Sequence, residues 1–200
     1  VGTPIAGRDH PALDPLVGMF VNTLVLRTRI EPHRPFTALL DTVRETDLDA
    51  FAHADLPFER LVEVINPARS QSHHPLFQVM LSVRNEPVGT LELPGLRIDT
   101  VETDGGIAKF DLQFTITESH TPEREPNGIT VAVNYSADLF DETTAARFGN
   151  RLVRLLGAVV ADSATAVGDL ELLDPVERSA LVPVRGARPD RPVTLPEVFT

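Results

Sequence analysis

Apolar and polar positions recur along this 200-residue chain with two periods, and the changes of period divide it into elements. Residues 1–8, VGTPIAGR, read as the end of a strand entering a loop. Residues 9–18 carry Pro11, Pro15 and Gly18 and predict a loop or a short helical turn. Residues 19–30, MFVNTLVLRTRI, are β-branched and apolar on both faces, which predicts a buried strand. The period then lengthens. Phe36, Leu39, Leu40, Val43, Asp47, Ala50 and Phe51 recur at about 3.6-residue spacing and predict a helix. Asp55 precedes a second, shorter helix with Pro57 in its first turn and Phe58, Leu61, Val62 and Ile65 as its stripe. Residues 66–75 are loop, closed by Pro75, and residues 76–84, LFQVMLSVR, predict another strand with two apolar faces.

Residues 85–107 break the pattern. Pro87, Gly89, Pro94, Gly95, Gly105 and Gly106 surround a short strand near Leu96–Thr103, and such an excursion is expected to be functional or to reach elsewhere. Next, Phe110, Leu112, Phe114 and Ile116 alternate with polar residues, as do Ile129, Val131, Val133 and Tyr135. The polar stretch between them ends in Pro126-Asn127-Gly128, which predicts a hairpin with one buried face. Asp141 starts the strongest helix, with Phe148, Leu152, Leu155, Leu156, Val159 and Val160 facing inward. The pattern weakens after Asp162. Residues 183–193 read as a Pro/Arg-rich linker, and residues 194–200 turn apolar again as though another domain began. An opening at Val1, already inside a strand, fits a piece of a longer chain.

Composition narrows the function. Hydrophobic residues make up 42% and charged residues 24%, enough apolar material for a core. The formal net charge of -11 argues against a nucleic-acid partner and against polybasic membrane binding. With no cysteine there is no disulfide, thiolate zinc site, iron–sulfur cluster or cysteine nucleophile. Neither a signal peptide nor an apolar run of membrane-spanning length is visible, so the expected location is the cytoplasm. The six histidines are scattered apart from His73-His74, and no metal site is expected. No phosphate loop, nucleophile elbow or His-Glu-x-x-His pattern occurs.

Three stretches place polar side chains in apolar settings. In Gly18-Met19-Phe20-Val21-Asn22-Thr23, the Asn22 amide must find partners inside a strand that is otherwise dry. It either bonds nearby backbone or lines a substrate channel. In His53-Ala54-Asp55-Leu56-Pro57-Phe58-Glu59, His53 and Asp55 could pair as base and orienting carboxylate; helix-end chemistry, with Asp55 near an N-cap and Phe58 as core, is the simpler reading. In Arg69-Ser70-Gln71-Ser72-His73-His74-Pro75-Leu76-Phe77, Arg69 either bridges two elements or sits in a solvated loop. Arg147, Arg151 and Arg154 form a basic stripe on the last long helix, which is either a solvated face or a dock for an acidic partner.

Taken in order, these stretches resemble the condensation domain of nonribosomal peptide synthetases. Gly18 to Thr23 with Leu26-Arg27 is similar to its GxFVNT-x-x-x-R motif, His53 to Glu59 to H-x-D-x-P-F-E, and Arg69 to Val79 to R-x-x-S-x-x-P-L-F-Q-V. Lys109-Phe110-Asp111-Leu112 and Asp138-Leu139-Phe140-Asp141 resemble later segments of the family. The resemblance runs from Val1 to residue 182 and implies an α/β, α+β sandwich: a chloramphenicol-acetyltransferase-like lobe whose mixed or antiparallel sheet packs with helices. It implies that this is the C-terminal lobe, that residues 85–107 cross to an N-terminal lobe, and that residues 194–200 open an adenylation domain.

The implied reaction joins an upstream acyl or peptidyl thioester to the amine of a downstream aminoacyl thioester, both carried on phosphopantetheine arms of carrier proteins. No cofactor is bound directly and no metal is required. The family's HHxxxDG motif belongs to the other lobe. His73-His74 is followed by Pro75 and Leu76 without an Asp-Gly, so no catalytic residue is expected here and the segment alone should be inactive. The resemblance makes Asn22 the candidate for the tunnel wall. Arg69, Ser72, His53 and Asp55 are candidates for stabilising the lobe, and Arg147, Arg151 and Arg154 for docking a carrier. Expected partners are the N-terminal lobe, the donor and acceptor carriers and the downstream adenylation domain. The alternatives are a non-catalytic docking module that recruits a partner enzyme, and an epimerisation or heterocyclisation relative.

Overall fold

The computed structural model describes residues 1–8, 10–68, 70, 72–84, 96, 106–121 and 125–181. The predicted excursion at 85–107 therefore lies outside the described residues except at Leu96, Gly106 and Ile107, and so do the linker at 183–193 and the segment 194–200.

Among the described residues five strands form one mixed sheet, as the family resemblance implies. They are β1 (Gly2–Ile5), β2 (Asn22–Val25), β3 (Val79–Arg84), β4 (Leu112–His120) and β5 (Pro126–Tyr135), in the order β2-β1-β3-β4-β5. β1 pairs antiparallel with β2, from Gly2 opposite Val25 to Ile5 opposite Asn22. β1 meets β3 in parallel at Gly2 and Met80, and β3 runs parallel to β4 from Val79–Leu112 to Arg84–Thr117. β4 and β5 close an antiparallel hairpin. Helices α1 (Phe36–Ala52) and α2 (Phe58–Ile65) pack on β2, and α3 (Glu142–Ala161) packs on β5.

The core is small: Leu24, Phe77, Met80, Leu112, Ala145 and Val159 are its buried apolar side chains. Phe77, just before β3, is 3% exposed and lies against Gly2 so closely that a Cβ there would stand 2.3 Å from the ring. The absent side chain of Gly2 is thus what lets an aromatic ring fill the space beside β1. Around Phe77 gather Phe58, His74 and Phe110, with ring centroids 4.1–5.9 Å apart along the chain of contacts.

Four expectations need correction. The strand expected over 19–30 is only Asn22–Val25, and it is an edge strand; Met19 is 91% exposed, and Val21 and Ile30 are largely exposed too. Its partner β1 is four residues long, and the pairing runs one residue further, where the Leu26 N–H donates to the Val1 carbonyl at 2.8 Å and the Val1 nitrogen to the Leu26 carbonyl at 3.0 Å. In the hairpin, Pro126-Asn127-Gly128 belongs to β5, and the connection is closed earlier by the Thr121 N–H donating to the Glu125 carbonyl. Gly128 at φ 101° and a register shift between Glu118 and His120 absorb the mismatch.

On α3 the buried face is narrower than its apolar residues suggest. Ala145 and Val159 are buried and share one side, whereas Val160, one residue further round, is 85% exposed. Beyond Asp162, where the pattern fades, the chain is ordered by partners. Residues 163–168 run beside residues 32–37 through the Phe36, Thr37, Val167 and Gly168 N–H bonds and a bridge between Pro35 and Ala166. A short helix α4 (Pro175–Leu181) follows, with the Asp174 carboxylate accepting from the Val176 and Glu177 N–H groups. Seven residues are too few to show a 3.6 period.

Candidate functional site

The site is built around Asn22, the first residue of β2. Its Oδ1 accepts from the N–H of Thr23 at 2.8 Å and from the N–H of Phe58 at 3.1 Å. Its Nδ2 donates to the carbonyls of Ala54 at 3.0 Å and Leu56 at 2.9 Å. All the bonding capacity that an amide offers to four backbone groups is used, which is what a part-buried amide requires. The α2 helix begins after Pro57, which has no side-chain cap, and Asn22 supplies that cap from 36 residues away.

The structure places the N-cap position of α2 at Pro57, two residues after Asp55, and the Asp55 side chain is exposed. His53 and Asp55 are joined by no hydrogen bond or ion pair. His53 is the C-cap of α1, and its Nδ1 lies 2.8 Å from the Asp49 carbonyl. Between them the loop 53–57 is tied to β2 by Asn22 alone of the two motifs' polar side chains.

Around this node opens a cleft of about 390 Å3. The end of β1 contributes Ile5 and Gly7, the approach to β2 contributes Phe20, Val21 and Asn22, and the turn into α2 contributes Asp55, Pro57 and Glu59. Asn22 bonds backbone, the first of the two roles that its sequence leaves open, and it stands in the lining of this cleft. Gly7, at φ 61°, brings the chain so close that a Cβ would stand 1.8 Å from the Phe20 carbonyl oxygen. The lining combines apolar side chains with two carboxylates and an amide. Among the described residues that line it there is no nucleophile–base pair.

Arg8, which the sequence patterns do not single out, follows immediately. Its guanidinium donates to the carbonyls of Leu13, Asp14 (3.4 Å) and Leu16 (2.8 Å) and stands 4.2 Å over the centroid of the Phe20 ring. Carbonyl partners leave no trace in a sequence, because every residue has one.

In the third motif Ser72 is exposed, and its N–H and Oγ meet Ser70 Oγ at 3.1 and 2.8 Å. Arg69 lies outside the described residues. His74 sits among Phe58, Phe77 and Phe110, and its Nδ1 is buried with no close hydrogen-bond partner among the described residues. Burial holds its pKa below the usual imidazole value, partly offset by a backbone hydrogen bond at Phe77.

The basic stripe on α3 is only partly free. Arg151 Nη2 donates to Glu177 Oε1 at 3.1 Å, and Arg147 Nε lies 3.7 Å from the same oxygen. Glu177 is 13% exposed and belongs to α4, so two of the three cations fasten α4 to α3. Arg154 lines a separate surface cleft with Asn150 and Asp174. Among the described residues no group of three His, Asp or Glu side chains is placed to hold a metal ion, and no helix is long and apolar enough to cross a membrane.

Comparison with known proteins bears on the family and the fold. The chain is 49% identical over 186 residues to a dimodular nonribosomal peptide synthase of Bacillus subtilis (strain 168), covering 91% of this chain and 8% of that protein. Among solved structures, the X-domain in the complex of the X-domain and OxyB from teicoplanin biosynthesis matches with a TM-score of 0.76 and 36% identity, over 86% of this chain and 37% of that one. The first condensation domain of the CDA synthetase shares the fold, with a TM-score of 0.63 at 20% identity over 86% of this chain and 37% of that one. The chain thus spans less than a tenth of that curated relative's length. The condensation-domain family model matches residues 1–182, and on that match the chain belongs to the condensation-domain family of nonribosomal peptide synthetases.

Proposed function

We propose that this chain is the C-terminal lobe of a domain that forms amide bonds between carrier-bound thioesters. The amine nitrogen of a downstream aminoacyl thioester attacks the carbonyl carbon of an upstream acyl or peptidyl thioester. The C–N bond forms, the C–S bond breaks, and the amine proton leaves as the phosphopantetheine sulfur departs as a thiol. The observation that carries the reading is the cleft beside Asn22, built by the family's own motif segments in a chain matched to the family from residue 1 to residue 182.

In this reading the cleft is one wall of the tunnel that receives the arms, and holding both thioesters there supplies much of the rate. The proton-handling histidines of HHxxxDG stand in the partner lobe, so the segment alone is inactive. The phosphopantetheine arms are substrate carriers, and the partners are the N-terminal lobe, both carrier proteins and the downstream adenylation domain. Arg147, Arg151 and Arg154 remain candidates for carrier docking, with Arg154 the one not committed to Glu177.

The test is the parent protein with both carriers loaded and mass spectrometry of the thioesters. Extension of the upstream chain by one residue supports amide synthesis. No extension, with loading verified, removes it.

A second reading is favoured by one observation. A solved relative at 36% identity is an X-domain found in complex with OxyB. By that likeness the chain would belong to a docking module for a partner enzyme. A parent lacking an intact HHxxxDG, inert in the assay above, supports this reading; a working amide synthesis dismisses it.

A further inference from the structure

We infer that Arg8 is a positioning residue: it holds Phe20 and the loop before β2 in the shape that keeps the substrate cleft open. The inference rests on the cleft having the role proposed above. Three carbonyls, from Leu13, Asp14 and Leu16, converge on one guanidinium. The turn Pro11–Leu13 is a 3-10 helix, and its C-terminal carbonyls are the negative end of its backbone dipoles. A planar cation with five donors matches several such carbonyls at once, which an ammonium does not.

The same guanidinium covers the Phe20 ring at 4.2 Å, and Gly18 also lies against the ring, where a Cβ would be 3.2 Å from it. Phe20 is in turn the residue whose carbonyl oxygen would stand 1.8 Å from a Cβ at Gly7. Gly7, Phe20 and Asn22 are cleft residues; Arg8 is not, and it acts on the cleft only through Phe20 and the loop. Without the fork, residues 10–20 lose a side chain that ties three of their carbonyls together, and the ring loses its stacked neighbour.

The experiment uses the full parent domain with both carriers, comparing Arg8→Lys and Arg8→Gln with the unaltered protein. Arg8→Lys keeps the charge but loses the fork and the flat face. KM for one of the two loaded carriers is expected to rise about tenfold with kcat within about twofold, because ground-state and transition-state binding are lost together. Phe20→Leu, which removes the stacked ring and leaves Arg8 in place, is expected to raise KM for the same carrier.

Hydrogen exchange supplies a readout that needs no activity: amides of residues 10–21 exchange faster in Arg8→Lys while those of β3 and β4 do not. Unchanged KM for both carriers overturns the inference, as does a fall in kcat alone or unchanged exchange at 10–21. Absence of amide product from the unaltered protein removes the proposed function instead, and the exchange result then still decides whether Arg8 holds the loop.

Discussion

The N–H of Phe58 donates to Oδ1 of Asn22 at 3.1 Å, so the first turn of α2 is capped by a side chain from an edge strand. Together with the bonds from Asn22 Nδ2 to the Ala54 and Leu56 carbonyls, this contact joins two sequence motifs, and it makes the cleft beside them a consequence of how α2 is started.

Replacing Asn22 therefore costs more than a surface amide would. Asn22→Ala leaves the Phe58 and Thr23 N–H groups and the Ala54 and Leu56 carbonyls without their partner, and a loss of about 1–3 kcal/mol is expected. Asn22→Asp keeps the acceptor but loses both donated bonds and sets a charge against two carbonyls. It should be destabilised at neutral pH and recover partly as the carboxyl protonates. Denaturant titrations at pH 7 and pH 4, each compared with the unaltered protein, check both. Equal midpoints for all three proteins at pH 7 would remove the capping role.

Gly7→Ala is expected to be severe for a backbone reason. The position has φ 61°, and the new Cβ would stand 1.8 Å from the Phe20 carbonyl oxygen, so the loop before β2 must move. Gly2→Ala meets the buried Phe77 ring at 2.3 Å instead. Overpacking of this kind costs about 1–3 kcal/mol. Gly157→Ala, where nothing lies within 4 Å, is the control and should be neutral or stabilising. Melting temperatures that rank the three alike would contradict this geometry.

The Arg151–Glu177 pair should matter locally. Glu177 is nearly buried and Arg151 is one-third exposed, so the pair stands between a surface and a buried bridge. Glu177→Gln is expected to speed amide exchange in α4 while leaving that of β3 and β4 unchanged. A double-mutant cycle with Arg151→Met should report a coupling of about 1 kcal/mol. Zero coupling would leave α4 held by something other than this pair.

His74 makes stability depend on pH in a stated direction. Burial among three phenyl rings lowers its folded pKa, so the unfolded chain takes up the proton first as pH falls. Stability is full above the unfolded value of about 6.5 and declines as pH drops below it toward the folded value. His74→Phe keeps an aromatic ring and removes the proton site, so its melting temperature should fall less between pH 7 and pH 5.5. Asp141 acts in the same direction at lower pH. The Thr144 N–H at 2.6 Å, its cap bond, holds its carboxyl below the usual range, and that contribution is lost as pH falls through the folded value. Parallel pH profiles for His74→Phe and the unaltered protein would show that the imidazole has the same pKa in the folded and the unfolded chain, and would remove the effect of burial.

Periodicity alone located α1, α2, α3 and the β4–β5 hairpin, because each has an apolar face recurring at its own period and that face is decided residue by residue. The motif segments around Asn22, His53 and His74 were legible for the same reason: they are short, contiguous and chemically unusual. The sequence also determined the family resemblance and the absence of cysteine chemistry.

What the sequence left open are the relations between distant segments. Whether Asn22 bonds backbone or lines a cleft depends on where α2 begins, and the answer that it does both needs both elements in place. β2 reads as buried from its composition, yet its depth in the sheet is set by how many strands pair beside it. Arg8 and Glu177 are ordinary charged residues until three carbonyls and two guanidiniums, respectively, are brought to them. Hydrogen bonds to backbone and ion pairs across elements carry no periodic signal, so only the tertiary structure decides them.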